Sequence, residues 1–248
     1  MLRTAIVLLI TVIAALLMLP VLLVMWIISL FRPDASFNGA MGRLAHIFLP
    51  PLLKLAGVRF EVTGRENLPD DAAAVYAGNH QGGFDAVVPL LFLGSAKSIV
   101  MKKEISKIPL AGCALRLFGC IFLDRTDLRA QVACIREMED RLKSGKSIAI
   151  FPEGTRSKGP DMGEFKAGAI RAAIAAQVPV VPFVIDGSWH CYEEQHRLVP
   201  HTVQLSILPP FPTEGLKPSD AKETAAQIRE LMQKEQTRLR AEKGTPNA

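Results

Sequence analysis

Residues 79 to 85 read Asn-His-Gln-Gly-Gly-Phe-Asp, which sets an imidazole at His80 and a carboxylate at Asp85 five positions apart. A histidine is the usual general base near neutral pH, and a carboxylate beside it selects the tautomer and stabilises the imidazolium that forms. The run from Ala72 to Gly78 is small and apolar, as in a short buried strand, and Phe84 to Leu93 reads as the first turns of a helix. A bend at Gly82 and Gly83 then brings Asp85 back beside the ring, because glycine accepts backbone angles that other residues resist. The competing reading is a structural histidine capped by a local carboxylate.

A second polar turn closes the apolar run from Ser147 to Phe151 and carries Glu153, Gly154, Thr155 and Arg156 at the carboxyl end of the expected strand. Strand ends are where α/β sheets hold ligands. Arg156 offers a planar fork of donors suited to phosphate, Thr155 a hydroxyl, and Gly154 a backbone that an anion can approach closely. Between the two turns, Gly119 to Leu123 is another apolar run, closing on Asp124 and Arg125. A buried strand with two prolines, Pro179 and Pro182, follows from Val178 to Ile185.

Four such blocks in this order resemble the glycerolipid acyltransferases. In that family the first block is N-H-x4-D, the second ends in Asp-Arg, the third is F-P-E-G-T-R-S and the fourth is a V-P-x-x-P strand. The counterparts are Asn79, His80 and Asp85; Asp124 and Arg125; Phe151 to Ser157; and Val178 to Pro182. The resemblance covers roughly residues 40 to 215. One departure stands out: the family commonly has serine and an aromatic after His-Gln, where this chain has Gly82 and Gly83, a difference that bears on acceptor or acyl preference.

The resemblance implies an O-acyltransferase that moves a fatty acyl group from acyl-CoA or acyl carrier protein to lysophosphatidate, giving phosphatidate. His80 is then the base, oriented by Asp85. Arg125 and Arg156, with Thr155 and the Gly154 backbone, hold the acceptor phosphate, while Glu153 orders the turn or meets the glycerol hydroxyl. Backbone amides near Phe84 are the expected oxyanion site. No cofactor is expected, since a thioester is already activated and the carrier serves as co-substrate. Acylation of another lyso-lipid or an aminolipid precursor is the first alternative. A non-catalytic membrane lipid-binding protein is the second, and an intact His80/Asp85 pair argues against it.

Positioning these residues calls for an α/β fold, a layered mixed sheet flanked by helices. Strands are expected near 59–63, 73–78, 97–101, 120–123, 147–151, 179–185 and 203–208. Helices are expected near 84–93, 109–118, 128–143, 165–176 and 220–241. The last has an apolar stripe of Ile228, Leu231, Met232 and Leu239.

Ahead of the sheet, Ala5 to Phe31 holds no charge. As a helix it reaches about 40 Å against roughly 30 Å of bilayer hydrocarbon, enough to span, while Pro20 allows a kinked pair of half-helices dipping into one leaflet. Residues 1–34 are therefore expected as a membrane anchor, 35–58 as an interfacial amphipathic segment broken at Pro50-Pro51, and 59–248 as the α/β domain.

Charge agrees with this division. Residues 1 to 60 contain five basic residues and one acid, which accounts for +4 of the formal +5. Arg32 and Arg43 follow the apolar run and put the domain on the cytoplasmic face by the positive-inside tendency. Nucleic-acid binding is a poor account of this charge, since no Lys/Arg stripe is interleaved with aromatics.

Three other signals fail. Ser144 to Ser147 resembles a phosphate-binding loop but has Asp140 where that motif needs glycine, and no G-x-S-x-G elbow occurs. His190, Cys191, His196 and His201 match no standard zinc spacing, so no metal is expected. Cys113, Cys120, Cys134 and Cys191 contain no C-x-x-C pair and read as free thiols of a reducing compartment.

Overall fold

The computed structural model describes residues 1–31, 37–70, 72–94, 96–108 and 110–244. Arg32, Asp34 and the boundary expected at 34/35 lie outside the described residues. Seven strands form where the seven apolar runs stand: β1 Val58–Thr63, β2 Val75–Gly78, β3 Ala96–Lys102, β4 Ile121–Leu123, β5 Ser147–Ile150, β6 Val180–Asp186 and β7 His201–Ile207. They make one sheet in the order β1-β7-β6-β2-β5-β3-β4, parallel throughout except between β6 and β7. Every residue of β2 and β6 is buried, as expected of central strands covered on both faces.

The chain leaves β2 toward β3 on one side and leaves β5 toward β6 on the other. The neighbouring carboxyl ends of β2 and β5 therefore form a switch-point crevice, the place where open α/β sheets keep their ligands.

Seven helices complete the described chain: α1 Leu2–Phe31, α2 Asn38–Ala56, α3 Val88–Leu91, α4 Ala111–Leu117, α5 Leu128–Lys143, α6 Gly168–Ala176 and α7 Ala221–Gly244. Helices α5, α6 and α7 bury Met138, Ile170, Ile174 and Ile228 against one face of the sheet. Leu53 and Ala56 of α2, with Val88 and Leu93, cover Tyr76, Phe183 and Leu205 on the other.

Three local expectations change, and α1, expected as one helix or a kinked pair of half-helices, is a single helix. The helix expected over 84–93 is a 3-10 turn, Gly83–Val87, followed by the single turn of α3. The Asp85 carboxylate draws the Gln81 and Gly82 amides onto itself and tightens the entry, while Gly94, at φ 49°, ends the run. Helix α2 continues through Pro50 and Pro51, because proline's fixed φ is a helical one and the loss falls on its missing N–H; Leu53 and Ala56 beyond them are anchored in the core. Helix α1 runs unbroken through Pro20. In α7, Leu231 is exposed, and the buried stripe runs through Ile228, Met232 and Leu239, the positions that recur on one helical face.

Helix α1 touches the rest of the protein near both ends. The Leu198 amide donates to the Thr4 hydroxyl at 3.0 Å, and Leu22 and Met25 pack on Leu117 of α4. Its remaining surface is apolar and exposed, including Leu8, Leu9, Leu16, Leu17, Leu23 and Val24. The Thr11 and Ser29 hydroxyls donate back to the Val7 and Trp26 carbonyls, which satisfies them without water. Among the described residues α1 is the one helix long and apolar enough to cross a membrane.

Candidate active site

The site grows from the end of β2. The Asn79 side chain prolongs the β2–β6 ladder by one rung, donating to the Ile185 carbonyl at 2.8 Å and accepting the Ile185 amide at 2.7 Å. Gln81 accepts the Gly187 amide at 2.9 Å, so the residues flanking His80 are fixed to the end of β6. Asp85 is fully buried, and its Oδ2 accepts the Gln81 amide at 2.6 Å, the Gly82 amide at 2.8 Å and His80 Nδ1 at 2.8 Å. Because that oxygen is an acceptor for all three, Nδ1 carries the proton and Nε2 keeps a lone pair available as a base. The ring stacks on Phe151 at 4.4 Å and remains 20% exposed.

Gly82 serves this turn differently from the expected bend. Its φ of −149° is extended, and what it supplies is room: a Cβ there would lie 2.8 Å from Glu193 Oε2 and 3.1 Å from the Ser188 carbonyl. Glu193 stands where a larger residue at 82 would project. Its Oε1 accepts the Gly83 amide at 2.8 Å and Arg156 Nη1 at 2.9 Å, and its side chain is 5% exposed. The first amide of the expected oxyanion region is thus engaged by this carboxylate.

The turn after β5 folds over the first. Glu153 Oε1 accepts the His80 amide at 2.7 Å and Oε2 accepts the Gly163 amide at 2.9 Å, so both oxygens are spent on holding the two turns together. Burial pushes the Glu153 carboxyl above its usual range, against the pull of those amide bonds. The Ser157 and Lys158 amides donate to the His80 and Gln81 carbonyls. Arg229 of α7 ties the same loop by donating to the Gly163 and Met162 carbonyls at 2.6 and 2.8 Å.

Gly154 adopts φ 76°, and Arg125 reaches over it from the end of β4, its Cζ 3.6 Å from where a Cβ would be. Asp124, next to Arg125, is committed to local structure: its carboxyl lies well below the usual range, held there by the Thr126 hydroxyl and amide and then by Lys103 at 3.1 Å. Thr155 is exposed and lines a cavity of about 420 Å³ with Glu153, Ser157, Asp161 and Lys166.

On the Arg156 side, a largely apolar cavity of about 370 Å³ opens between α1, α2 and the 3-10 turn, with Val7, Leu8, Leu53, Phe84 and Val87 among its lining. An acyl chain fits such a lining. The expected site residues thus gather at the ends of β2, β4 and β5, and Glu193, Lys166 and Arg229 join them, residues that no motif singled out.

Among the described residues no group of three His, Cys, Asp or Glu side chains is arranged to hold a metal. His190 pairs with Glu194 at 2.9 Å and contacts the rings of Trp189 and His201. All four cysteines are free.

The chain is similar over most of its length to known acyltransferases. The chain is 33% identical over 193 residues to 1-acyl-sn-glycerol-3-phosphate acyltransferase alpha of Bos taurus, covering 77% of this chain and 67% of that one. It is 32% identical over 198 residues to a probable 1-acyl-sn-glycerol-3-phosphate acyltransferase of Mycoplasma pneumoniae, covering 73% and 72%. The crystal structure of the 1-acyl-sn-glycerophosphate acyltransferase PlsC from Thermotoga maritima superposes with a TM-score of 0.72 at 25% identity, over 96% of this chain and 99% of that one. The Acyltransferase family profile matches residues 59–186, which include His80, Asp85, Arg125 and Arg156, and the chain belongs to that family.

Proposed function

We propose that this acyltransferase moves a fatty acyl group from the thioester of acyl-CoA or acyl carrier protein to the free hydroxyl of 1-acylglycerol 3-phosphate, giving phosphatidate. The observation that carries the reading is the His80–Asp85 pair, its Nδ1 turned to the buried carboxylate, on a turn whose neighbouring residues Gly83, Phe84 and Val87 line an apolar cavity. Nε2 takes the proton of the acceptor hydroxyl as its oxygen attacks the thioester carbonyl. The tetrahedral oxyanion collapses, the carbon–sulfur bond breaks, and the imidazolium returns the proton to the departing thiolate. Asp85 stabilises the imidazolium while it exists. Arg125 and Arg156 supply positive charge for the acceptor phosphate, with Gly154 and Thr155 beside them. The activated thioester asks for no cofactor. The names of the similar proteins support the choice of acceptor.

The exposed apolar surface of α1 supports attachment to a membrane, and its contacts near both ends, through Thr4 and Met25, favour a helix lying along the bilayer face of the domain. The basic residues Arg43, Lys54 and Arg59 on the domain side support a cytoplasmic catalytic face. The test is product identification with purified protein, both carrier types and a panel of lyso-lipids. Phosphatidate from lysophosphatidate is the expected main product. Turnover of another acceptor at least about tenfold faster, equivalent to about 1.4 kcal/mol in the barrier, would move the assignment to that lipid.

A further inference from the structure

Two cations meet over Gly154 from unrelated parts of the chain. Arg125 follows β4, and Lys166 precedes α6. A carbon at the Gly154 Cβ position would lie 3.4 Å from Lys166 Nζ and 3.6 Å from Arg125 Cζ. Among the described residues neither side chain has a carboxylate within ion-pair distance. The nearby carboxylates are engaged elsewhere: Asp124 with Lys103 and Thr126, Glu153 with the His80 and Gly163 amides, and Glu193 with Arg156 and the Gly83 amide. Asp161 and Glu164 line the neighbouring cavity, outside ion-pair distance.

Backbone bonds anchor the residues that carry the two cations. The Lys166 amide donates to the Pro152 carbonyl at 3.0 Å, so its side chain starts from the turn it overhangs. The Arg125 carbonyl accepts Gln131 Nε2 at 2.9 Å, and its buried Nε has no acceptor within the protein. Like charges brought to one point repel unless an anion comes between them, and glycine at 154 leaves that point open.

We infer that Arg125 and Lys166 clasp the phosphate monoester of the acceptor across Gly154, and that Lys166 supplies the second charge that selects a dianion. This rests on the lysophosphatidate reading given above. A phosphate monoester carries about −1.5 to −2 near neutral pH, whereas the phosphodiester of other lyso-lipids carries one negative charge. Arg156, already paired with Glu193, contributes less to this selection.

Steady-state kinetics of the full chain in mixed micelles test the assignment, comparing wild type, Lys166→Ala and Lys166→Arg on lysophosphatidate and on lysophosphatidylglycerol of the same acyl chain. Lys166→Ala is expected to raise KM for lysophosphatidate about ten- to hundredfold with kcat within about threefold of wild type, to change KM for the phosphodiester by less than about threefold, and to be largely rescued by Lys166→Arg. Equal losses on both acceptors, a loss confined to kcat, or no rescue by arginine would overturn it. Thermal stabilisation by inorganic phosphate separates this assignment from the acceptor reading. If wild type ignores lysophosphatidate yet is stabilised by phosphate in a manner lost in Lys166→Ala, the acceptor reading fails and the two-cation cradle stands; without that stabilisation both fail.

Discussion

Around His80 the buried carboxylates are held by donors from the protein, whereas the basic groups on and beside α1 and α2 enter no ion pair among the described residues. Asp85 is buried with three donors on one oxygen, and Glu153 is buried with an amide on each. A carboxylate away from water survives only on such terms. In contrast, Arg3, Arg43, Lys54 and Arg59 enter no ion pair among the described residues, and the helix between them presents leucine and valine to its surroundings. The first region is tied together by bonds within the folded chain, with Asp85 Oδ1, Glu193 Oε2 and Arg125 Nε left over. The second presents apolar surface and basic side chains outward, the combination that suits the proposed attachment to a membrane.

The largest expected effect tests the first half of that contrast. His80→Ala should lower kcat about a hundred- to ten-thousandfold while far-UV circular dichroism and vesicle binding stay as in wild type. Near-normal kcat would remove His80 from the chemistry. Asp85→Asn should also lose turnover, less severely, because the amide oxygen can keep the Gln81 and Gly82 amides satisfied. Asp85→Ala strands those two donors, so it should lower Tm as well, by an amount reflecting about 1–3 kcal/mol for each orphaned group.

An intermediate effect tests the second half. Deleting residues 1–31 removes an array of exposed side chains, each worth about 1.5–3 kcal/mol when buried in an apolar phase, and should release most of the protein from vesicles. Residual binding through α2 should fall as salt is raised, since exposed charges are screened. Retention at high salt would place the main anchor elsewhere.

The smallest effect sharpens the boundary between the two regions. Burial pushes the Cys120 thiol up to about 12 and the Cys134 thiol up to about 11, so both should resist iodoacetamide in the native protein at pH 8. Cys113 is half-buried beside Leu22 and Met25 of α1, and its labelling rate should rise when α1 is deleted while the other two do not change. Parallel increases at Cys120 and Cys134 would mean that α1 supports the sheet core.

The sequence alone determined what depends on neighbours along the chain. His80 and Asp85 are five residues apart across one turn, so their pairing needed only a local bend, and the seven apolar runs were long enough to mark seven strands. Even there, side chains altered details: Glu193 comes close to Gly82 from another segment, and the helix after Gly82 is tightened by the carboxylate of Asp85. Only the tertiary structure decided which strands adjoin. Placing β5 between β2 and β3 brought Glu153 under His80, and placing β4 at the edge brought Arg125 over Gly154. Lys166 and Glu193 were illegible for the same reason. A single exposed lysine or a glutamate in a polar loop carries no periodicity, and its meaning lies in the distance to a group on another segment, which the packing of the sheet sets and the order of residues does not state.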